Sequence, residues 1–232
     1  MARRKAIVCI LLLATVFASV AVVQGGKANS TETHYLPAVF SYSPPAYISE
    51  IYPTGTFAGN LRVTGEVMVV SPTPVYSITV EIRAFNQFHQ LLEVKTGLTE
   101  FPATFPGQPN PFDIVLFVQS SQVFYVTAEV KDWSATHPIN FQAATVTNIN
   151  VIVGGTDAIV ITTIQNNNLE PLSNVMGLAW SLEAQGSFSP TLVINYLAPG
   201  ATAVFTKTLL GEGGPPGYMP DVRAAAQGEV VP

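Results

Sequence analysis

From residue 47 onward, apolar and polar residues alternate with a period of two, and the 3.6-residue period of an amphipathic helix is absent. Tyr76, Ile78, Val80, Ile82 and Ala84 are apolar, with Ser77, Thr79, Glu81 and Arg83 between them. Side chains of a strand point alternately to its two faces, so this stretch predicts an antiparallel strand with one face buried and the other in water. Phe124, Val126, Ala128 and Val130 repeat the pattern against Thr127, Glu129 and Lys131. Between the two, Phe112 to Val118 is a mainly apolar run that suits a more deeply buried strand.

The same order recurs roughly 95 residues later, a spacing that fits one small sandwich per copy. Met176, Leu178, Trp180 and Leu182 alternate with Gly177, Ala179, Ser181 and Glu183. Pro199-Gly200 precedes Phe205 as Pro106-Gly107 precedes Phe112, and Val222, Ala224 and Ala226 echo the last strand of the first copy. The expected architecture is all-β, with two tandem immunoglobulin-like antiparallel β-sandwiches over residues 47–133 and 134–232. Their boundary falls near Asp132 to Pro138, because Pro138 cannot donate to a strand ladder. Trp133 lies either in the joint between the copies or in the first core at a strand end. Each copy carries about a dozen inward apolar side chains, each contributing about 1.5–3 kcal/mol on full burial, enough to offset chain entropy without metal or disulfide.

Ile78-Thr79-Val80-Glu81-Ile82-Arg83-Ala84-Phe85-Asn86, then Leu91-Leu92, Pro106-Gly107 and Phe112, resembles the FxLYD-type immunoglobulin-like domain of bacterial secreted and envelope proteins. Ala84-Phe85-Asn86 occupies the place of that family's Leu-Tyr-Asp, and His89 stands where a turn glycine is usual. The second copy matches better late, at Leu197-Ala198-Pro199-Gly200-Ala201, than early, at Leu182-Glu183-Ala184-Gln185-Gly186. The resemblance implies a fold and an envelope location. It brings no catalytic or ligand residues, and a fold alone does not fix a function.

Ahead of these copies, Arg3-Arg4-Lys5 and the apolar run Ala6 to Val23 read as a secretory signal peptide over residues 1–26. The alternative is an uncleaved membrane anchor, for which the run is long enough. Residues 27–46 are rich in Gly, Ser, Thr and Pro and read as a flexible spacer, interrupted by the apolar segment His34 to Phe40. The expected location is therefore exported: extracellular, on the cell surface or periplasmic. Membrane contact is expected only through an uncleaved leader.

Composition narrows the function. Charged residues make up 11% of the chain and hydrophobic ones 48%. Removal of the leader up to Gly26 leaves seven basic residues against fifteen acidic, a net charge of −8. No basic patch exists to neutralise phosphates, so nucleic acid is not an expected partner. The single cysteine, Cys9, lies in the leader, which excludes a disulfide, a thiolate zinc site or a cysteine nucleophile in the mature chain.

Catalytic patterns are missing as well. No Gly-x-Ser-x-Gly elbow is present, and His34, His89 and His137 lie in separate segments without metal spacing. Glu66, Glu81 and Glu129 fall on polar strand faces, where solvation is their expected role. Asp157 after Gly154-Gly155-Thr156 belongs to a hairpin turn. The stretch Gly211 to Gly217 lacks the Lys-Ser/Thr pair of a phosphate loop and reads as a hairpin loop. No catalytic residue, cofactor or metal is expected. Among the aromatics, Trp180 is on the inward register, whereas Tyr218 and Phe88 lie in loops and are the candidate contact residues. The expected function is a non-enzymatic structural or interaction module whose partner is an envelope protein or a cell-wall polymer. A carbohydrate-binding accessory module is the alternative, and a degenerate hydrolase the weaker rival.

Overall fold

The structure is a computed structural model, and it describes residues 44–56, 58–182, 188–212 and 220–231. The leader, the apolar segment 34–40 and Tyr218 lie outside the described residues. The described residues are all-β apart from one 3-10 turn at Ser120–Gln122, and every strand pair among them is antiparallel.

The first half contains β1 (Ala46–Gly55), β2 (Asn60–Val69), β3 (Val75–Phe85), β4 (Leu91–Leu98), the short β5 (Ala103–Thr104), β6 (Asn110–Gln119) and β7 (Tyr125–Ser134). One sheet runs β1-β2-β6; in the other, β3 pairs with β4, β5 and β7. The second half contains β8 (Phe141–Gly154), β9 (Asp157–Gln165), β10 (Leu172–Trp180), β11 (Thr191–Leu197), β12 (Thr202–Leu209) and β13 (Arg223–Val230). Its pairings β8–β9, β9–β12, β10–β11 and β10–β13 repeat β1–β2, β2–β6, β3–β4 and β3–β7. Long β8 joins the two layers of this half. Phe141 to Ala144 pair with β13, and Thr145 to Gly154 pair with β9.

The local turns follow from residue chemistry. Gln108 N–H donates to Phe105 O at 3.1 Å and Ala201 N–H to Ala198 O at 3.1 Å. Each turn carries Pro then Gly at its centre, with φ +75° at both Gly107 and Gly200. That is the type II arrangement, in which proline presets the first central residue and glycine takes the left-handed second. The phenylalanine that follows each turn is buried, Phe112 and Phe205 alike. At Gly65, opposite Phe112 in the β2–β6 ladder, a Cβ would come within 2.4 Å of the Phe112 ring, so the close approach of ring and strand requires glycine.

The apolar side chains gather in two clusters, one from Ala46 to Leu116 and one dominated by residues 144–226. Phe101 crosses over: it comes from the β4–β5 connection yet packs in the second cluster. Residues 42–232 form one compact unit.

Three expectations about individual side chains are corrected. Phe124 is 70% exposed rather than inward, because β7 starts one residue later at Tyr125. Tyr76 is half-buried and Val75 takes the core place, since Ser77 bulges out at φ +50° and shifts the register of β3 against β7. Glu66 is 2% exposed and Glu81 is buried too, so neither is a solvated strand carboxylate, while Glu129 is exposed as expected. Ile78, Val80, Ile82 and Ala84 are fully inside, as their alternation demands; Leu178 and Trp180 are inside too, but Gly177 and Ala179, expected on the outer face, are buried as well and Met176 only partly so, because both faces of β10 are covered there. Trp133 packs, partly buried, against the first cluster.

Candidate functional site

Two places concentrate side chains beyond core packing: a polar joint between the halves and an aromatic tip on the first half. The joint is built on β2. Its odd positions, among them Leu61, Val63 and Val67, enter the first core, and its even positions Arg62, Thr64 and Glu66 are buried on the opposite face. Each polar group there has a partner. Arg62 binds Asp113 through two parallel bonds of 2.8 and 2.9 Å, a bidentate pair with both side chains 7% exposed. Its guanidinium also lies 5.3 Å from the centre of the Phe188 ring. Thr64 Oγ1 donates to the Leu182 carbonyl at 2.8 Å. Trp180 Nε1 donates to Glu66 Oε1 at 2.8 Å, and Arg223 pairs with Glu66 Oε2 and, at 3.0 Å, with Glu50. Burial pushes the Glu66 carboxyl above its ordinary value, against the pull of Trp180 and Arg223. A buried charge with its lone pairs filled holds structure together, and we assign the joint that role.

The tip is formed by the β3–β4 connection and by residues 120–124 ahead of β7. Asn86 organises the first loop: its Oδ1 accepts from Phe88 N–H at 2.9 Å and Gln90 N–H at 3.0 Å. These are the local side-chain turns for which asparagine is suited. His89, standing where the family pattern has glycine, takes φ +61°, the left-handed conformation a glycine would supply. Phe124 N–H donates to Phe85 O at 2.8 Å and ties the second loop to β3. Tyr125 stacks on Phe85 with centroids 4.8 Å apart and planes 9° from parallel, and His89 lies 5.6 Å from the Tyr125 ring.

Above this base, Phe88 is 69% exposed and Phe124 70%. The two border a groove of about 290 Å³ whose other lining includes Asn86, Gln87, Ser121 and Gln122. Phe88, one of the two contact residues expected from the sequence, is thus in a groove. Its neighbour Phe124 was missed because the strand period assigned it inward. The signal that could have found it was the polar Ser120-Ser121-Gln122 run just ahead, which marks a strand end.

The tip offers aromatic faces, amides and hydroxyls, and its one titratable contact is His89 Nδ1 to Tyr125 Oη at 3.4 Å. The second histidine, His137, is half-buried and stacks against Tyr76 and Phe141, at 5.7 and 5.2 Å, rather than standing in solvent. Asp157 closes the β8–β9 hairpin and accepts from Gly211 N–H at 3.1 Å, the turn role expected of it. Among the described residues, no three His, Cys, Asp or Glu side chains gather as a metal site.

No protein-family model matches the chain, and no curated protein sequence matches it. Among solved structures it is similar to the crystal structure of red sea bream transglutaminase, at 11% identity and a TM-score of 0.27. That match covers 73% of this chain and 27% of the transglutaminase, so the chain spans about a quarter of that protein's length.

Proposed function

We propose that the chain is a non-enzymatic interaction module exported to the cell envelope, made of two immunoglobulin-like copies, with the aromatic tip as its contact end. The observation that carries this reading is the pair Phe88 and Phe124, each about 70% exposed on loops that hydrogen bonds and ring stacking hold in place. Large aromatic faces held out by ordered loops lose little entropy on contact and bury much area, as binding hot spots do. Repetition of the strand pairing supports two copies, and the two Pro-Gly turns support the FxLYD resemblance. The joint supports a stiff spacer, since the Glu66–Arg223 ion pair and the bonds from Trp180 to Glu66 and from Thr64 to Leu182 tie the halves. Export rests on Arg3-Arg4-Lys5 and the apolar run after it.

Carbohydrate binding is the second reading, favoured by the amides and hydroxyl of Gln87, Ser121 and Gln122 beside the two rings. The test is cosedimentation of the purified chain with cell-wall polymer and, separately, with envelope proteins of the source organism. Retention on either, lowered at least tenfold in the Phe88→Ala, Phe124→Ala double variant, supports the module. Retention on wall polymer alone selects the carbohydrate reading. Retention that the double variant leaves untouched, or none on either fraction, overturns the assignment of the tip.

A further inference from the structure

β4 is an edge strand: among the described residues it pairs with β3 alone. Thr99 N–H donates to Ile78 O at 3.0 Å, and the bonds of an antiparallel ladder fall on every second residue. Glu93, Lys95 and Gly97 therefore bond to β3, while Val94, Thr96 and Leu98 turn their N–H and C=O groups to the open side. The side chains of these three lie on the outer face, and Val94 and Leu98 are 43% and 62% exposed. The two charged residues of β4 leave the edge unguarded. Lys95 Nζ donates to Val115 O at 2.6 Å and Glu93 Oε2 accepts from Val118 N–H at 2.8 Å, so both turn toward β6. A strand edge with apolar side chains and no charge across it is a template for a further strand.

We propose that β4 pairs antiparallel with β4 of a second copy of the chain, with Val94 facing Val94 on the two-fold axis. An antiparallel partner must present a cation opposite Glu93 and an anion opposite Lys95, and a strand reading Glu-x-Lys does so. β4 is itself that strand: with Val94 on the axis, Glu93 of each copy stands opposite Lys95 of the other, about 5 Å away at Cβ. Val94 also has its N–H and C=O turned outward, so the ladder bonds close in this register. Lys95 on the axis would instead face its own copy across the ladder, a like-charge pair. β11, the corresponding edge strand of the second half, has no charged residue and selects no register. Phe88 and Phe124 are not part of this surface, so it stands or falls independently of the aromatic tip.

The experiment is sedimentation velocity of the full purified chain at about 100 μM, well above the micromolar dissociation constant that a small interface supports. The unaltered chain is expected to sediment as a dimer. Val94→Pro, which removes an outward N–H and no bond to β3, should leave a monomer. Glu93→Gln keeps an acceptor for Val118 N–H and should weaken the dimer about fivefold, and Phe88→Ala should leave it unchanged. The register is read by oxidation of single cysteines in a chain carrying Cys9→Ser. There Val94→Cys should give at least tenfold more disulfide-linked dimer than Leu98→Cys, since only the former faces its own copy. A monomeric unaltered chain, a dimer that survives Val94→Pro, or equal linking through the two cysteines would each overturn the proposal.

Discussion

The indole Nε1 of Trp180 donates a 2.8 Å hydrogen bond to Oε1 of Glu66, a residue 114 positions earlier in the chain. Trp180 is fully buried in the second core, so its one polar atom has to be satisfied by a neighbour, and the first half supplies the acceptor. The other oxygen of Glu66 pairs with Arg223, which makes this carboxylate the shared ligand of two side chains from the second half.

Truncation of Glu66 should therefore cost far more than an ordinary surface change. Glu66→Ala leaves a buried N–H open and Arg223 without its main counter-charge, and a loss of about 3 kcal/mol is expected. Trp180→Phe should cost less, about 1–2 kcal/mol, because packing is largely kept. In urea denaturation the double variant should lose clearly less than the sum of the single losses. Additive losses would show that the two side chains do not act together.

The carboxyl of Glu100 gives a pH dependence of definite sign. Burial first, and the nearby Asp113 second, push it from the ordinary 4.5 to about 7, with Lys207 opposing. Between those two values the folded chain holds a proton that the unfolded chain has released. This group therefore makes stability fall as pH rises from 4.5 through 7. Glu100→Gln removes the penalty and should raise stability at pH 8 by about 1 kcal/mol, the partial exposure of the group being discounted. At pH 4.5 the variant and the unaltered chain should melt together. A variant equally stabilised at both pH values would rule out the carboxyl as the cause.

The two central strands share a strained residue at the same place. Ser77 is the third residue of β3 with φ +50°, and Asn174 is the third of β10 with φ +46°; in each strand the register slips at this point. Left-handed backbone costs roughly 1–2 kcal/mol for most residues and little for asparagine or glycine. Ser77→Gly is thus expected to be neutral or to stabilise by up to about 1 kcal/mol, whereas Ser77→Val should destabilise by about 2 kcal/mol. Asn174→Gly should change stability by less than about 0.5 kcal/mol. Thermal melts of the three variants check the ranking, and a stabilising valine at Ser77 would contradict it.

By itself the sequence determined the β class, the inner face of β3 from Ile78 onward and several turns. Ile78, Val80, Ile82 and Ala84 are inside because alternation in a strand is a property of local geometry, and any fold must place that apolar face away from water. The Pro-Gly turns were legible for a similar reason, since proline and glycine restrict their own backbone. Phe88 was legible as a loop aromatic, though not the groove it shares with Phe124.

Tertiary structure alone decided what meets the outer faces. Arg62, Thr64 and Glu66 form a polar face that looks in sequence like any solvated one, and burial follows only because Leu182, Trp180 and Arg223 arrive with matching groups. The same holds for Phe101, which leaves its own half to pack in the other core. A period of two records that the faces of a strand differ in polarity. Whether the polar face meets water or another polar face depends on contacts between distant residues, which no local pattern contains.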